Sequence, residues 1–345
     1  MSRILLSASF PPDLMLRQTP GRSGSWKGCQ FVSEDELDSE TSGEEFDAWV
    51  VYDDLRIPRE VACSPLNTLL ITGEPESLRR YRKRFTSQFG RVWTSHASIH
   101  HPHVKRRNEG QHWHYALQGS SVHGCQLGFD ELANMSCPQK TKLLSVICSS
   151  KAHTEDHRKR LEFVHTLQEN FSDQVDVFGR GIRDLDDKAE AIYDYRYHIV
   201  LENDHSDFFM TEKLGDAFLG WSYPIYFGGS EAYYRFPEGS FTAIDIYKPA
   251  EAISIIRSVI ESDTYERCLP RVSEARNRVL YTNNICNMMA EYWSEYLSDS
   301  PAVPTRLLPK KHRAGLVLDQ LKRTITQPFA STAVRRKPSS GKRAA

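Results

Sequence analysis

A chain of 345 residues, 39% hydrophobic and 11% aromatic, has enough apolar material for the packed cores of about two ordinary domains, which excludes a disordered or fibrous protein. Its longest apolar runs, at 143–148 and 199–201, are strand-sized, far short of the roughly 20 residues that cross a bilayer. The formal net charge of −1 conceals a split: from Pro301 onward eleven Lys or Arg accompany one acid, Asp319, so this end carries about +10 and the rest about −11.

In chain order, apolar runs at 3–6, 48–52, 68–72 and 92–94 read as buried strands, followed by runs at 144–148, 175–178, 198–201 and 225–227. The intervals suit crossover helices, and alternating β and α elements predict parallel sheets. The stretch 100–121, rich in His, Gly and charge, and the segment 137–142 interrupt the pattern, placing a boundary near 140. Two helices frame the second half of the chain. Residues 157–167 put Leu161, Val164 and Leu167 on one stripe, with Arg158 and Arg160 towards the polar face; residues 249–260 open with Pro249 and repeat apolar positions at helical spacing. The expected organisation is a domain at 1–140, a second at 141–300, and a basic end at 301–345. That end is either solvated and partly disordered or amphipathic through Leu316, Val317, Leu318 and Leu321, and able to lie on an anionic membrane. Seven scattered cysteines with no Cys-x-x-Cys pair, and no visible signal peptide, predict reduced thiols and a cytoplasmic protein, with peripheral contact at the inner membrane surface through the basic end.

The most informative stretch is 197–229, which packs strand, polar loop, helix and second strand into the size of one βαβ unit. Glu202 and Asn203 end its first strand, and Thr211, Glu212 and Lys213 open its helix. A carboxylate, an amide and an ammonium thus converge at the carboxyl edge of a sheet, where open α/β folds bind ligands. This outlines a phosphate-and-sugar site. Thr211 suits a helix cap, and Lys213 at the helix start suits an anion. The competing structural reading is a first-turn Glu complementing the helix dipole beside an exposed Lys.

The segments 200–203, 211–214 and 217–228, with 239–245 after them, resemble in order and spacing the donor signature of the α-1,3/1,4-fucosyltransferases, glycosyltransferase family 10. The resemblance covers roughly 60–290 and is strongest at 145–250. It implies a GT-B fold, two Rossmann-like α/β domains with parallel sheets facing across a cleft. It also implies an inverting, metal-independent enzyme that moves fucose from GDP-fucose to a hydroxyl of a glycan acceptor, in α-1,3/1,4 linkage. On that basis Lys213 and Arg160 take the pyrophosphate, with Arg158 as the rival two residues away, Glu212 takes the ribose, and Asn203 and Thr211 complete the donor site. The general base is Glu74, after the strand at 68–72, with Glu76 as the fallback. Phe209 stands where the family usually has Tyr, which removes a phenolic hydrogen bond, and Asp204 stands where Ser is common.

No cofactor beyond the donor substrate is expected. His96, His100, His101, His103, His112 and His114 crowd one stretch without a zinc spacing, and read as a polar acceptor-side loop rather than a metal centre. An acidic body with basic charge only at its end argues against nucleic acid. The alternatives are a non-catalytic nucleotide-sugar or glycan-binding protein that retains the fold, and a transferase using another GDP-sugar.

Overall fold

Residues 48–52 are buried at every position, as are 223–227 and nearly all of 195–201, the pattern of strands covered on both faces. Such strands need helices on each side, and the computed structural model, which describes residues 1–37, 44–110, 112–118, 122–150, 152 and 154–310, supplies them. The first part contains strands β1 Ser2–Ala8, β2 Ser25–Trp26, β3 Cys29–Ser33, β4 Glu45–Phe46, β5 Ala48–Tyr52, β6 Arg59–Cys63, β7 Thr68–Ile71, β8 Arg91–Thr94 and β9 Val104–Arg106, with short helices α1 Asp13–Leu16 and α2 Lys83–Thr86. After α3 Phe129–Asn134 come β10 Lys142–Ile147, α4 Glu155–Phe171, β11 Val175–Phe178, β12 Tyr195–Leu201, α5 Glu212–Leu219, β13 Tyr223–Phe227, α6 Glu231–Arg235 and β14 Thr242–Ala243. The described chain ends with α7 Pro249–Glu261, α8 Thr264–Asn277, α9 Ile285–Tyr296 and β15 Val303–Leu307.

One sheet runs β2-β3-β1-β5-β7-β8-β9, parallel throughout except for β2, and the other runs β11-β10-β12-β13-β14, all parallel. A small third sheet, β15-β6-β4, joins the two ends of the chain, β15 lying antiparallel to β6. In both large sheets the chain starts at an inner strand, goes to one side, then returns past its start to build the other side. This creates a topological switch point between β1 and β5 and another between β10 and β12, where open α/β sheets take ligands.

The expected boundary near 140 needs adjustment. Trp113, Tyr115, Leu127, Phe129 and Leu132 pack into the core around the second sheet, while Ile285, Met288, Met289 and Trp293 of α9 return to the core of the first. The chain therefore crosses between halves near Gly110 and again near Asn284. At the first crossing Gly110 has φ of +65°, and a Cβ there would meet Ile285 and Met288 at about 3 Å, so α9 packs directly on the crossing backbone. Fully buried Arg17 braces the junction by donating to the carbonyls of Trp113 (2.7 Å), Tyr115 (3.0 Å), Ala116 (3.0 Å) and Leu127 (2.7 Å). The basic end also starts differently from expectation: 303–307 is a paired strand, and Lys310 is anchored in the first half. The amphipathic stretch with Leu316, Val317, Leu318 and Leu321 lies outside the described residues.

Candidate donor and acceptor site

The 202–213 loop is built around Glu202, whose side chain is fully buried at the end of β12. Its carboxylate accepts from the Thr211 amide (2.7 Å), the Thr211 hydroxyl (2.7 Å) and the Lys213 ammonium (3.0 Å). Thr211 in turn caps α5, accepting from the Lys213 amide at 3.5 Å, so the strand end and the helix start are locked together. Gly229 is required beneath this loop: a Cβ there would lie 2.1 Å from the Ser206 carbonyl and 2.7 Å from that of Phe209. Phe209 itself is buried, filling space as an apolar ring.

Arg160 departs from the polar face expected of it and points inward, while Arg158 is the exposed one. One terminal nitrogen of Arg160 donates to the Leu201 carbonyl (3.2 Å) and to Asn203 Oδ1 (2.5 Å), and its buried Nε has no partner. Among the described residues no carboxylate lies within ion-pairing distance of this guanidinium, and burial lowers its pKa from the ordinary value. A buried cation beside Asn203, at the β10/β12 switch point, that feels Glu202 and Asp156 only at longer range is a place for an anion.

Glu212 and Lys213 are more committed than the sequence suggested. Glu212 Oε1 takes the Lys188 ammonium at 2.7 Å and His114 Nδ1 at 3.3 Å, and among the described residues its Oε2 has no ion-pair partner. Lys188 also reaches Asp216 at 2.8 Å, and Asp216 accepts the amides of His114 and Tyr115, both at 2.9 Å. Burial pushes Glu212 up, but the charge and hydrogen bond of Lys188, with the charge of Lys213, outweigh it and hold the carboxyl well below its usual range. Burial likewise favours the neutral imidazoles, pushing His112 down to about 3 and His114 to about 4. Donor atoms of His114, Glu212 and Asp216 lie within 4.8 Å of one another, a spacing that could hold a metal ion. Lys188 already occupies the space between the two carboxylates and supplies the positive charge a metal would bring.

On the facing sheet, Glu74 follows β7 in a turn whose carbonyl takes His96 Nε2 at 2.6 Å. Gly73, just before it, donates its amide to the Tyr81 hydroxyl at 3.0 Å, and Tyr81 donates to Asp53. Asp53 is also bonded by Arg79, by Ser9 (2.9 Å) and by Lys310 (2.8 Å), so this buried carboxylate is consumed in holding the turn. Glu74 is not so consumed. Burial raises its pKa, and the charges of Arg79 and Lys213 only partly oppose this. Glu76, half-buried, is lowered by its bond with Ser98. The two edges meet through Ser77 Oγ, which donates to Asp204 Oδ2 at 2.5 Å, and through Asn108, which donates to the Met210 carbonyl. Glu74, Glu212 and Lys213 are thereby brought within electrostatic reach of one another.

The predicted histidine cluster disperses. His96 lies under Glu74, His112 and His114 pair through their Nε2 atoms at 2.9 Å, and His100, His101 and His103 sit on a separate surface. Lys188 and Asp53 gave no signal of their own in the sequence, whereas Asp216, one helical turn after Glu212, stood at a spacing that would have exposed it.

Two Rossmann-like halves whose carboxyl edges meet around such a site form a GT-B architecture, the fold of nucleotide-sugar glycosyltransferases. Residues 137–284 match the family model described as glycosyltransferase family 10 (fucosyltransferase), C-terminal. A solved α1,3-fucosyltransferase shares the fold, with a TM-score of 0.51 at 15% identity over 88% of this chain and 90% of that one. A crystal structure of α1,3-fucosyltransferase with GDP-fucose aligns over 98% and 93% at 15% identity with a TM-score of 0.42. The glycotransferase of kitacinnamycin aligns over 86% and 99% at 8% identity and 0.41. No curated protein matches by sequence. The family-model match covers the second half of the chain, and the fold is one that a solved α1,3-fucosyltransferase shares.

Proposed function

We propose that the protein transfers fucose from GDP-fucose to a hydroxyl of a glycan acceptor, with inversion, by direct displacement. Arg160 carries this reading, because a buried guanidinium with no ion-paired carboxylate among the described residues, at a switch point, suits a diphosphate whose charge grows as the bond breaks. Lys213 adds a second ammonium, shared with Glu202, and Asn203 orients the arginine fork. Glu212 presents its Oε2 to the ribose hydroxyls while Lys188 holds the other oxygen. Glu74 removes the acceptor proton, its elevated pKa raising its basicity towards that of a useful general base. Metal is unnecessary in this scheme, since Arg160 and Lys213 are assigned to neutralise the leaving group. The linkage is proposed as α-1,3/1,4. The protein is proposed to work in the cytoplasm, with the basic residues 311–345 contacting an anionic membrane.

Calorimetric titration of the full chain with GDP, GDP-fucose and UDP-galactose, without added metal, tests the donor assignment. Selective binding of the guanine nucleotides, weakened roughly 10- to 100-fold in Arg160→Ala and not restored in Arg160→Lys, is the expected result. No binding of GDP or GDP-fucose by the wild type would overturn it.

A further inference from the structure

Lys83, from the basic run 79–84, and His100, His101 and Arg106, from the stretch 100–107, are separated in sequence but meet on one surface. The sequence placed basic charge only at the chain's end; the fold makes a second concentration. α2 forms one wall and the stretch leading into β9 forms the other, enclosing a groove of about 570 Å³, within the size range of small-molecule sites. Lys83, His100, His101 and Arg106 supply its polar lining, over a floor that includes Ile99 and Pro102. No carboxylate lines it, and among the described residues neither Lys83 nor Arg106 has an ion-pair partner. Arg82 and Arg84, exposed beside Lys83, are likewise unpaired there.

Arg106 is positioned rather than loose. Its two terminal nitrogens donate to the carbonyls of His96 (2.6 Å) and Ile99 (2.9 Å), fixing a charge that those neutral groups do not cancel. The same 96–99 turn holds the base turn, through His96 Nε2 on the Glu74 carbonyl and the Ser98 amide on Glu76 at 3.3 Å. The other wall, α2, is the continuation of the chain beyond Glu74. The 96–99 turn is thus the link between the two places: it bonds Glu74 and Glu76 on one side and holds Arg106 of the groove on the other.

We propose that this groove seats the acceptor, and that the acceptor carries an anionic group, a carboxylate or phosphate, recognised by Lys83 and Arg106. The inference rests on Glu74 facing the acceptor, and it concerns a different surface from the donor site. The test is direct binding of three probes to the full chain at low ionic strength: a hyaluronan tetrasaccharide, N-acetylglucosamine 6-phosphate, and neutral chitotetraose. At least one anionic probe is expected to bind tenfold or more tighter than chitotetraose, and to weaken as salt rises. Which of the two it is distinguishes a carboxylated glycan from a phosphorylated sugar. Lys83→Glu/Arg84→Glu, a change at exposed positions, is expected to remove that preference while GDP affinity stays within twofold. Equal or weaker binding of both anionic probes, or a preference untouched by the charge reversal, would sink the proposal. Failure of GDP to bind the wild type would instead strike the donor assignment and leave the groove measurement readable.

Discussion

Glu74 and Glu76 are two residues apart, yet their surroundings move them in opposite directions. Burial raises Glu74, whereas the bond with Ser98 lowers Glu76. A base must be ionised to act, so activity should fall as pH drops through the raised pKa of Glu74, placing the acid limb of kcat/KM above the ordinary carboxylate range. Glu74→Gln should cut GDP release from GDP-fucose with glycan acceptors by a factor of roughly 10² to 10⁴ and leave GDP affinity within about twofold. A raised carboxyl pKa means that the fold favours the neutral form. The stabilising contribution is full below the unfolded pKa and is lost as pH rises through the folded one. The Gln variant should therefore melt no lower than the wild type at pH 8, which separates lost chemistry from lost folding. Glu74 was legible as a carboxylate following a strand. What the sequence could not supply was the environment that distinguishes it from Glu76, because much of that comes from His96 and Asp53, remote in sequence.

At the scale of elements, the eight apolar runs all fold as strands, because continuous burial demands continuous apolar sequence. Strands that escaped are of another kind: β3 alternates buried and half-buried positions through polar residues, β9 is a three-residue edge, and β15 contains a proline at an exposed position. The donor loop was legible because its spacing is set by one carboxylate, Glu202, and one cap, Thr211. The inward turn of Arg160 was not, since helical spacing leaves it at the margin of the apolar stripe. Gly229 makes the loop's position a steric requirement. Gly229→Ala should displace 206–209 and, through them, Thr211 and Lys213, and so weaken GDP binding by tenfold or more, measured by titration, with a Tm loss far smaller than that of a core truncation.

For the molecule as a whole, the alternation of strands and helices was enough to foresee two parallel sheets, but not which half each segment would join. Segments 113–135 and 285–307 cross over because their apolar residues fit the other core, a tertiary outcome with no local signal. The chain's end is correspondingly divided in role. A protein stopped after Lys310 keeps β15 and the Lys310–Asp53 pair, and should match the full chain in Tm and GDP affinity. Stopping after Ser300 removes both, exposes the edge of β6 and takes one of the two cations from Asp53 beside the base turn, so a Tm drop of roughly 5 °C or more is expected by calorimetry. A stability loss in the longer truncation equal to that in the shorter would contradict this division.

Arg17 has a consequence for motion. Its single guanidinium binds four carbonyls of the segment that enters the second half, and among the described residues it is buried without an ion-paired carboxylate. Swinging the halves apart would tear charged hydrogen bonds, each of about 1.5–3 kcal/mol, and leave a buried cation without them. The angle between the halves is thus a built-in dimension rather than a variable, and nucleotide must be admitted by local loop movement. Small-angle scattering should return the same radius of gyration with and without saturating GDP; a contraction on binding would mean that the rivet yields.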